Sequence, residues 1–153
     1  MTELSENQCR LLCRSAIDSR ARSYCPYSHF AVGAALLCCD GTIYTGCNIE
    51  NAAYSPSICA ERTAFAKAVS EGQRHFSAIA IAGGPQDAAS LSEDEDSSLL
   101  LPECPPCGVC RQVMMEFCSP DSFRIILARS ADQYSICTLK DLLPLGFGPE
   151  NVS

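Results

Sequence analysis

The stretch PSICAERT, residues 56–63, decides what this chain can be, together with PCGVCR at residues 106–111. Between them they hold three cysteines and, two residues after the first cysteine, the carboxylate of Glu61. Three protein ligands and one open position are typical of a catalytic zinc, whereas a structural zinc normally takes four ligands. We therefore predict one zinc ion, with Glu61 placed to handle the protons of a water molecule. The predicted ligands are Cys59, Cys107 and Cys110.

The local sequence places these cysteines at the starts of two helices. A proline stands before each cysteine-bearing run, and good helix formers follow it. Cys107 and Cys110 are three residues apart, so they share one face of a helix and can converge on one ion. A helix N-terminus favours negative charge and lowers the pKa of a thiol. Three thiolates leave a divalent ion with a net charge of about −1, and we expect Arg62 to offset that charge directly.

Zinc deaminases carry the same kind of signature, H-x-E or a cysteine version followed by P-C-x-x-C, in which the glutamate is not a ligand. Neither His29 nor His75 has a glutamate two residues later, so the cysteine version, Cys59-Ala60-Glu61, is the one present. Beyond these motifs the chain resembles the small cytidine deaminases of pyrimidine salvage. The likeness runs in order through YCPYSHFAVGAA (24–35), GCNIENAAY (46–54), PCGVC (106–110) and LLPLGFGP (142–149).

This resemblance implies an activity and a set of partners. Members of the family hydrolyse cytidine and deoxycytidine to uridine and deoxyuridine with release of ammonia. They use one zinc ion per subunit and form homotetramers in which the substrate pockets are shared between subunits. The resemblance therefore implies that this chain binds a small nucleoside and that Glu61 carries the protons of the reaction.

The resemblance also assigns substrate contacts. Phe30 is expected to lie against the pyrimidine ring, and Asn48 and Glu50 to hold the ribose hydroxyls, roles that suit an aromatic face and an amide–carboxylate pair. Read alone, Phe30 also fits ordinary strand core, and the other two fit a solvated strand end. Phe147 is expected to reach the base pocket of a neighbouring subunit. The remaining expected contacts are Ile49, Asn51, Ala52, Ala53, Tyr54 and Ala60.

Composition bounds the remaining possibilities. The chain has 153 residues and a net charge of −7, with only 11 Lys and Arg. Nucleic-acid binders usually show a basic stripe, so we expect no nucleic-acid partner. No apolar run approaches the roughly 20 residues of a membrane helix, and the acidic N-terminus has no signal-peptide core. These features predict a cytosolic protein that does not enter membranes.

The high cysteine content allows three interpretations. Twelve cysteines are typical of a disulfide framework, but the expected compartment argues against one. We expect most of those outside the metal motifs to be small buried hydrophobes. Cys104 precedes Cys107 by three residues and is the candidate for a fourth, structural ligand. Pro105 and Pro106 interrupt the helical register that would direct its thiol to the same ion.

Hydrophobic periodicity predicts the fold class. Helices are expected at 5–22, 59–71, 109–117 and 138–143, and strands at 30–39, 42–48, 76–82, 124–129 and 134–137. Gly83 and Gly84 are expected to end the third strand. The order strand–helix–strand suggests a βαβ unit over residues 42–82. We predict a single α/β domain, 1–153: a three-layer sandwich with a mixed sheet of about five strands and helices on both faces.

Residues 85–103 depart from the family pattern. This segment is longer than the corresponding connection in the family, and it is rich in serine and acidic residues. We predict a flexible surface loop. A lid, an altered oligomer contact and a phosphorylated segment are the alternatives.

Three other functions use parts of the same pattern. A polynucleotide cytosine deaminase would share the zinc motifs but needs a basic channel, which this acidic chain lacks. A thiol–disulfide oxidoreductase would use Cys107 and Cys110 as a redox pair, which leaves Cys59 and Glu61 unexplained. In a non-catalytic zinc module, Glu61 would be dispensable.

Overall fold

A computed structural model describes residues 3–88 and 100–152. The helices are α1 (Glu6–Ser19), α2 (Ala60–Ser70), α3 (Gly108–Phe117) and α4 (Leu139–Leu142). The strands are β1 (Phe30–Cys38), β2 (Ile43–Cys47), β3 (Phe76–Pro85), β4 (Arg124–Ala128) and β5 (Tyr134–Thr138). Two short 3₁₀ turns complete the regular structure, at Arg20–Arg22 and Pro149–Asn151. The predicted elements are all present, with ends shifted by a few residues.

The strands form one mixed sheet in the order β2-β1-β3-β4-β5. β1 runs antiparallel to both β2 and β3, β3 and β4 are parallel, and β5 is antiparallel to β4. Because β1 lies between β2 and β3, the predicted βαβ unit does not join neighbouring strands. The adjacent parallel pair is instead β3 and β4, which are connected through α3.

The sheet is covered on both faces, because successive strand residues point to opposite sides. On one face α1 packs through Cys9, Leu12 and Ala16 against a buried layer that includes Ala35 and Ala80. On the other face α2 and α3 pack against a second layer. The strands contribute Ala34, Leu36, Ile79, Ile81 and Ile125 to this layer, and the helices contribute Phe65 and Met114. The predicted three-layer arrangement is therefore confirmed.

Helix α2 lies unusually close to β2, at Gly46. A Cβ atom added at Gly46 would lie 2.4 Å from the carbonyl oxygen of Ala60 and 2.6 Å from the amide nitrogen of Ala64. The hydroxyl of Thr63 also donates a hydrogen bond of 3.0 Å to the carbonyl of Cys47. These contacts fix the first turn of α2, which carries the first metal motif, against the edge of the sheet.

The prediction that Gly83 and Gly84 end the third strand is wrong. β3 continues through both glycines to Pro85, and Gly83 and Gly84 pair with Val32 and Ala31 of β1. Glycine is often read as a strand breaker because it adds no side-chain contact. Here side chains from other segments occupy the space above both glycines.

Several predictions concern the segment after β3 and the cysteines. Residues 89–99, most of the predicted insert at 85–103, lie outside the described residues.

All twelve cysteines carry free thiols in the structure. Cys39 is exposed and Cys47 and Cys137 are only half-buried, so the expectation of burial is wrong for these three. Among residues 3–88 and 100–152, no helix combines the length and the apolar character that a membrane crossing requires.

Candidate metal centre and substrate pocket

The three cysteines of the two motifs lie at helix starts, as predicted. Cys59 is the N-cap residue of α2 and Cys107 the N-cap residue of α3. Both have extended backbone, with φ of −73° and −67°. Cys110 follows in the first turn of α3. The positive ends of two helices therefore point toward the thiols, which favours their ionised form.

The sulfur atoms are close enough to share one ion. The Sγ of Cys107 lies 3.7 Å from that of Cys59 and 3.5 Å from that of Cys110. All three sulfurs lie within 4.8 Å of one another. Tetrahedral zinc with Zn–S bonds of about 2.3 Å requires sulfurs about 3.8 Å apart. The donor set therefore fits zinc in both spacing and chemistry.

Cys104 is not part of this group. Within the described part of the chain, Cys59, Cys107 and Cys110 form the one group of metal-ligating side chains with mutual spacing of this kind. The pKa of the Cys104 thiol is raised to about 11, mainly by burial. The geometry thus favours three protein ligands over a closed four-cysteine site.

Arg62 lies beside the sulfur cluster, as the sequence predicted. Its Nη2 donates to the Sγ of Cys59 at 3.5 Å. Hydrogen bonds from Cys110 and Arg62 lower the pKa of Cys59 to about 5, against desolvation. The pKa of Cys110 is raised, because its thiol is the donor in that contact. The buried Nε of Arg62 has no hydrogen-bond partner among the described residues.

Glu61 is buried next to the same cluster. Only 4% of its surface is exposed, although carboxylates are rarely buried without a partner. Burial raises its pKa to about 7, and the charge on Cys59 adds to that shift. A carboxyl group with a near-neutral pKa can both accept and return a proton at physiological pH. This is the behaviour that a general acid–base residue requires.

Arg111 supports the second metal motif, a role that the sequence reading did not assign. Its Nε donates to the carbonyl of Pro106 at 2.8 Å, and its Nη1 donates to the carbonyl of Leu142 at 2.6 Å. The guanidinium therefore ties the loop before Cys107 to the end of α4. The available signal was a cation directly after Cys110 in a helix that otherwise has no basic residue.

Asn48 and Glu50 lie where the chain leaves β2, and both already hold backbone groups. The Asn48 amide accepts from the N–H of Val32 at 2.9 Å and donates to the carbonyl of Phe30 at 2.8 Å. Oε1 of Glu50 accepts from the N–H groups of Tyr27 and Ser28, at 3.0 and 3.1 Å. Each side chain keeps further hydrogen-bonding capacity: the second N–H of the amide and the second carboxylate oxygen.

The other expected substrate contacts surround this point with varied exposure. Phe30, at the start of β1, is 38% exposed, and Ile49 is 43% exposed. Tyr54 is 73% exposed, has a positive φ of 57°, and its ring meets that of Tyr27 edge-on at 6.0 Å. A left-handed backbone at a bulky residue is uncommon and is often found at binding sites. Of the rest, Ala60 is buried, and Asn51, Ala52 and Ala53 form an exposed turn.

Phe147 lies apart from these residues, between α4 and the last 3₁₀ turn. It is 59% exposed, and its carbonyl accepts a hydrogen bond of 2.8 Å from the Gln112 side chain of α3. Cys107 and Val109, two residues later, are exposed as well. One chain alone therefore leaves the metal centre open on the side of α3.

The chain is similar in sequence to known proteins. A family model described as the cytidine and deoxycytidylate deaminase zinc-binding region matches residues 6–124. A cytidine deaminase of Sporosarcina psychrophila is 46% identical over 135 residues, which cover 88% of each chain.

Solved structures give the same likeness. The cytidine deaminase of Burkholderia pseudomallei matches with a TM-score of 0.75 and 36% identity, over 96% of this chain and 100% of the other. The cytidine deaminase of Mycobacterium tuberculosis matches with a TM-score of 0.73 and 33% identity, over 95% and 99% of the two chains. The predicted fold class is thereby confirmed.

Proposed function

Because this chain belongs to the family of zinc-binding cytidine and deoxycytidylate deaminases, we propose that it hydrolyses cytidine and deoxycytidine. The products are uridine or deoxyuridine and ammonia, a reaction of pyrimidine salvage. One observation carries the proposal: three sulfurs spaced for a single zinc lie beside Glu61, a buried carboxyl whose pKa is raised to about 7. No zinc-structural role would require that carboxyl.

The proposed chemistry divides between the metal and Glu61. When held by Cys59, Cys107 and Cys110, zinc supplies Lewis-acid chemistry that makes water an effective nucleophile near neutral pH. Glu61 takes the first proton from the attacking water and gives it to ring N3 as the oxygen bonds to C4. It then takes the second proton from the new C4 hydroxyl and gives it to the amine, so that the C4–N4 bond breaks, ammonia departs and the C4 carbonyl forms. Arg62 keeps the cluster anionic by donating to Cys59.

The substrate is proposed to lie between the metal centre and the end of β2. Phe30 would present its ring to the base. The second N–H of Asn48 and the remaining acceptor capacity of the Glu50 carboxylate would bind the ribose hydroxyls, while their other atoms hold the strand and the loop that carry Phe30. Segment 49–54 would wall the sugar side, and Ala60 would flank the base beside Glu61.

We propose that the active form is a homotetramer with shared pockets. Tyr54 and Phe147 are large aromatic side chains that one chain leaves 73% and 59% exposed. Apolar surface of this kind is typical of protein–protein contacts. Phe147 would enter the base pocket of a neighbouring subunit, so that dissociation of the tetramer would also remove activity.

The location and domain extent are proposals as well. Twelve free thiols are typical of a reducing compartment, so we propose the cytosol. We propose that residues 1–153 form one catalytic domain. A net charge of −7 favours a free nucleoside over a polynucleotide, whose phosphates an acidic surface repels.

The test is loss of the cytidine ultraviolet absorbance in the presence of purified, zinc-loaded protein. We expect turnover of cytidine and deoxycytidine, and none of cytosine in a single-stranded oligonucleotide. Glu61→Gln should abolish turnover while keeping one zinc per chain. A zinc-loaded wild-type protein without turnover would refute the proposal, and a fully active Glu61→Gln variant would favour a different proton carrier.

A further inference from the structure

Two adjacent glycines of β3 each leave room for side chains from another segment. A Cβ atom added at Gly83 would lie 2.6 Å from the Sγ of Cys104, 3.0 Å from its Cβ and 3.1 Å from Cε1 of Phe30. Real Cβ contacts are essentially never shorter than about 3 Å. The space that a side chain at Gly83 would need is therefore taken by the Cys104 thiol and bordered by the Phe30 ring.

Gly84 faces the opposite side of the sheet. A Cβ atom there would lie 2.9 Å from Cδ2 of Leu101 and 3.4 Å from Cδ of Pro102. These contacts lie on the α1 side, whereas Ile79 and Ile81, four and two residues before Gly83, point to the metal side of the sheet. The two glycines thus form a matched pair, one facing the metal centre and one facing away from it.

Cys104 belongs to the metal side of the molecule without being a ligand. It is half-buried and packs against the core cluster that contains Ala60 and Cys110. The charges on Glu61 and Cys59 act on its thiol, although burial is the main reason that its pKa is raised to about 11. The Cys104 side chain is a small, adaptable group in the space beside Gly83 that the Phe30 ring also borders.

The backbone of Phe30 is fixed, so its ring position depends on what the ring rests against. The Phe30 carbonyl accepts from Asn48 at 2.8 Å, and its N–H donates to Oγ of Ser28 at 3.1 Å. Gly83 lies on the neighbouring strand, where it pairs with Val32, two residues after Phe30. With the main chain held, the ring can be displaced only by its side-chain neighbours.

We propose that Gly83 and Cys104 act together as positioning residues that set where the Phe30 ring meets the substrate base, and that their combined size limits the base pocket. The proposal rests on the proposed function, because it assigns the base to the Phe30 ring. It also accounts for the Gly83-Gly84 pair, which does not end the strand.

The test is a double-mutant cycle on cytidine kinetics with zinc-loaded protein. Gly83→Ala adds the clashing Cβ, and we expect KM to rise at least about tenfold, with kcat within about threefold of wild type, because a displaced ring weakens ground-state and transition-state binding alike. Adding Cys104→Ala removes the nearest clashing atom, and KM should recover to within about threefold of the Cys104→Ala single variant. Zinc content should stay at one per chain throughout.

Gly84→Ala is the matched control. It crowds the face away from the metal, so it should lower the melting temperature but leave KM unchanged. A wild-type KM for Gly83→Ala, an equal rise for Gly84→Ala, or no rescue in the double variant would each overturn the proposal.

If Gly83→Ala does not fold, Cys104→Leu supplies the same crowding from the opposite side, and an unchanged KM in that variant would overturn the proposal. Failure of the proposed function itself is distinguishable, because wild-type protein would then show no cytidine turnover at all.

Discussion

Gly46→Ala should damage catalysis from a distance, because Gly46 supports the helix that carries Cys59 and Glu61. The added Cβ would lie 2.4 Å from the carbonyl oxygen of Ala60, about 1 Å inside ordinary van der Waals contact. This oxygen belongs to the backbone and not to a flexible side chain, so the first turn of α2 must move. Overpacking of this kind costs about 1–3 kcal/mol. A shift of about 1 Å in a catalytic group can lower the rate about 100-fold.

The assay is steady-state deamination of cytidine, with zinc content and melting temperature measured on the same samples. Gly33→Ala is the matched control, because its Cβ would lie 1.9 Å from the carbonyl oxygen of Ala16 and would press on α1, on the opposite face. We expect both variants to have a lower melting temperature, but only Gly46→Ala to have a lower kcat or a lower zinc content as well. A Gly46→Ala variant with wild-type kcat and full zinc would refute this reasoning.

Three further outcomes follow from the site. Arg62→Gln removes the donor to Cys59, so a chelator should strip zinc about tenfold faster; an unchanged rate would exclude that role. Glu50→Gln keeps one oxygen for the loop but has an amide nitrogen in place of the second carboxylate oxygen. KM should therefore rise roughly tenfold with kcat little changed. An unaltered KM would remove Glu50 from the sugar site. In zinc-free protein, burial raises the pKa of Glu61 from 4.5 to about 7. Between pH 5 and pH 8 the free energy of unfolding of wild type should therefore fall by about 2 kcal/mol more than that of Glu61→Gln. The carboxyl stabilises the folded state most below its unfolded pKa, and this stabilisation is lost as pH rises through its folded pKa. An equal change in the free energy of unfolding of both proteins between the two pH values would contradict this.

The local structure of the chain was accessible from the sequence. The apolar spacing of Cys9, Leu12 and Ala16 predicts α1 because helical neighbours share a face. The extents of α2 and α3 follow in the same way, and the cysteine spacing predicts that both helices deliver ligands to one centre. These features depend on residues close in sequence, so a pattern of a few positions is enough to specify them.

Long-range contacts were not accessible in the same way. Gly83 reads as a strand end, but its role depends on Cys104 and Phe30, which are distant in sequence. The insertion of β1 between β2 and β3 depends on hydrogen-bond pairing that no local pattern records. For Asn48 and Glu50 the sequence left two readings, sugar ligands or a solvated strand end, and neither includes the backbone groups of Phe30, Val32 and the loop that they bind.

The central claim is that three sulfurs, and no fourth, hold the catalytic zinc beside Glu61. X-ray absorption at the zinc edge, on active purified protein, tests it most directly. We expect three sulfur neighbours at about 2.3 Å and one oxygen or nitrogen neighbour at about 2.0 Å. Four sulfur neighbours would place Cys104 in a closed structural site and contradict the claim, as would active protein that contains no zinc.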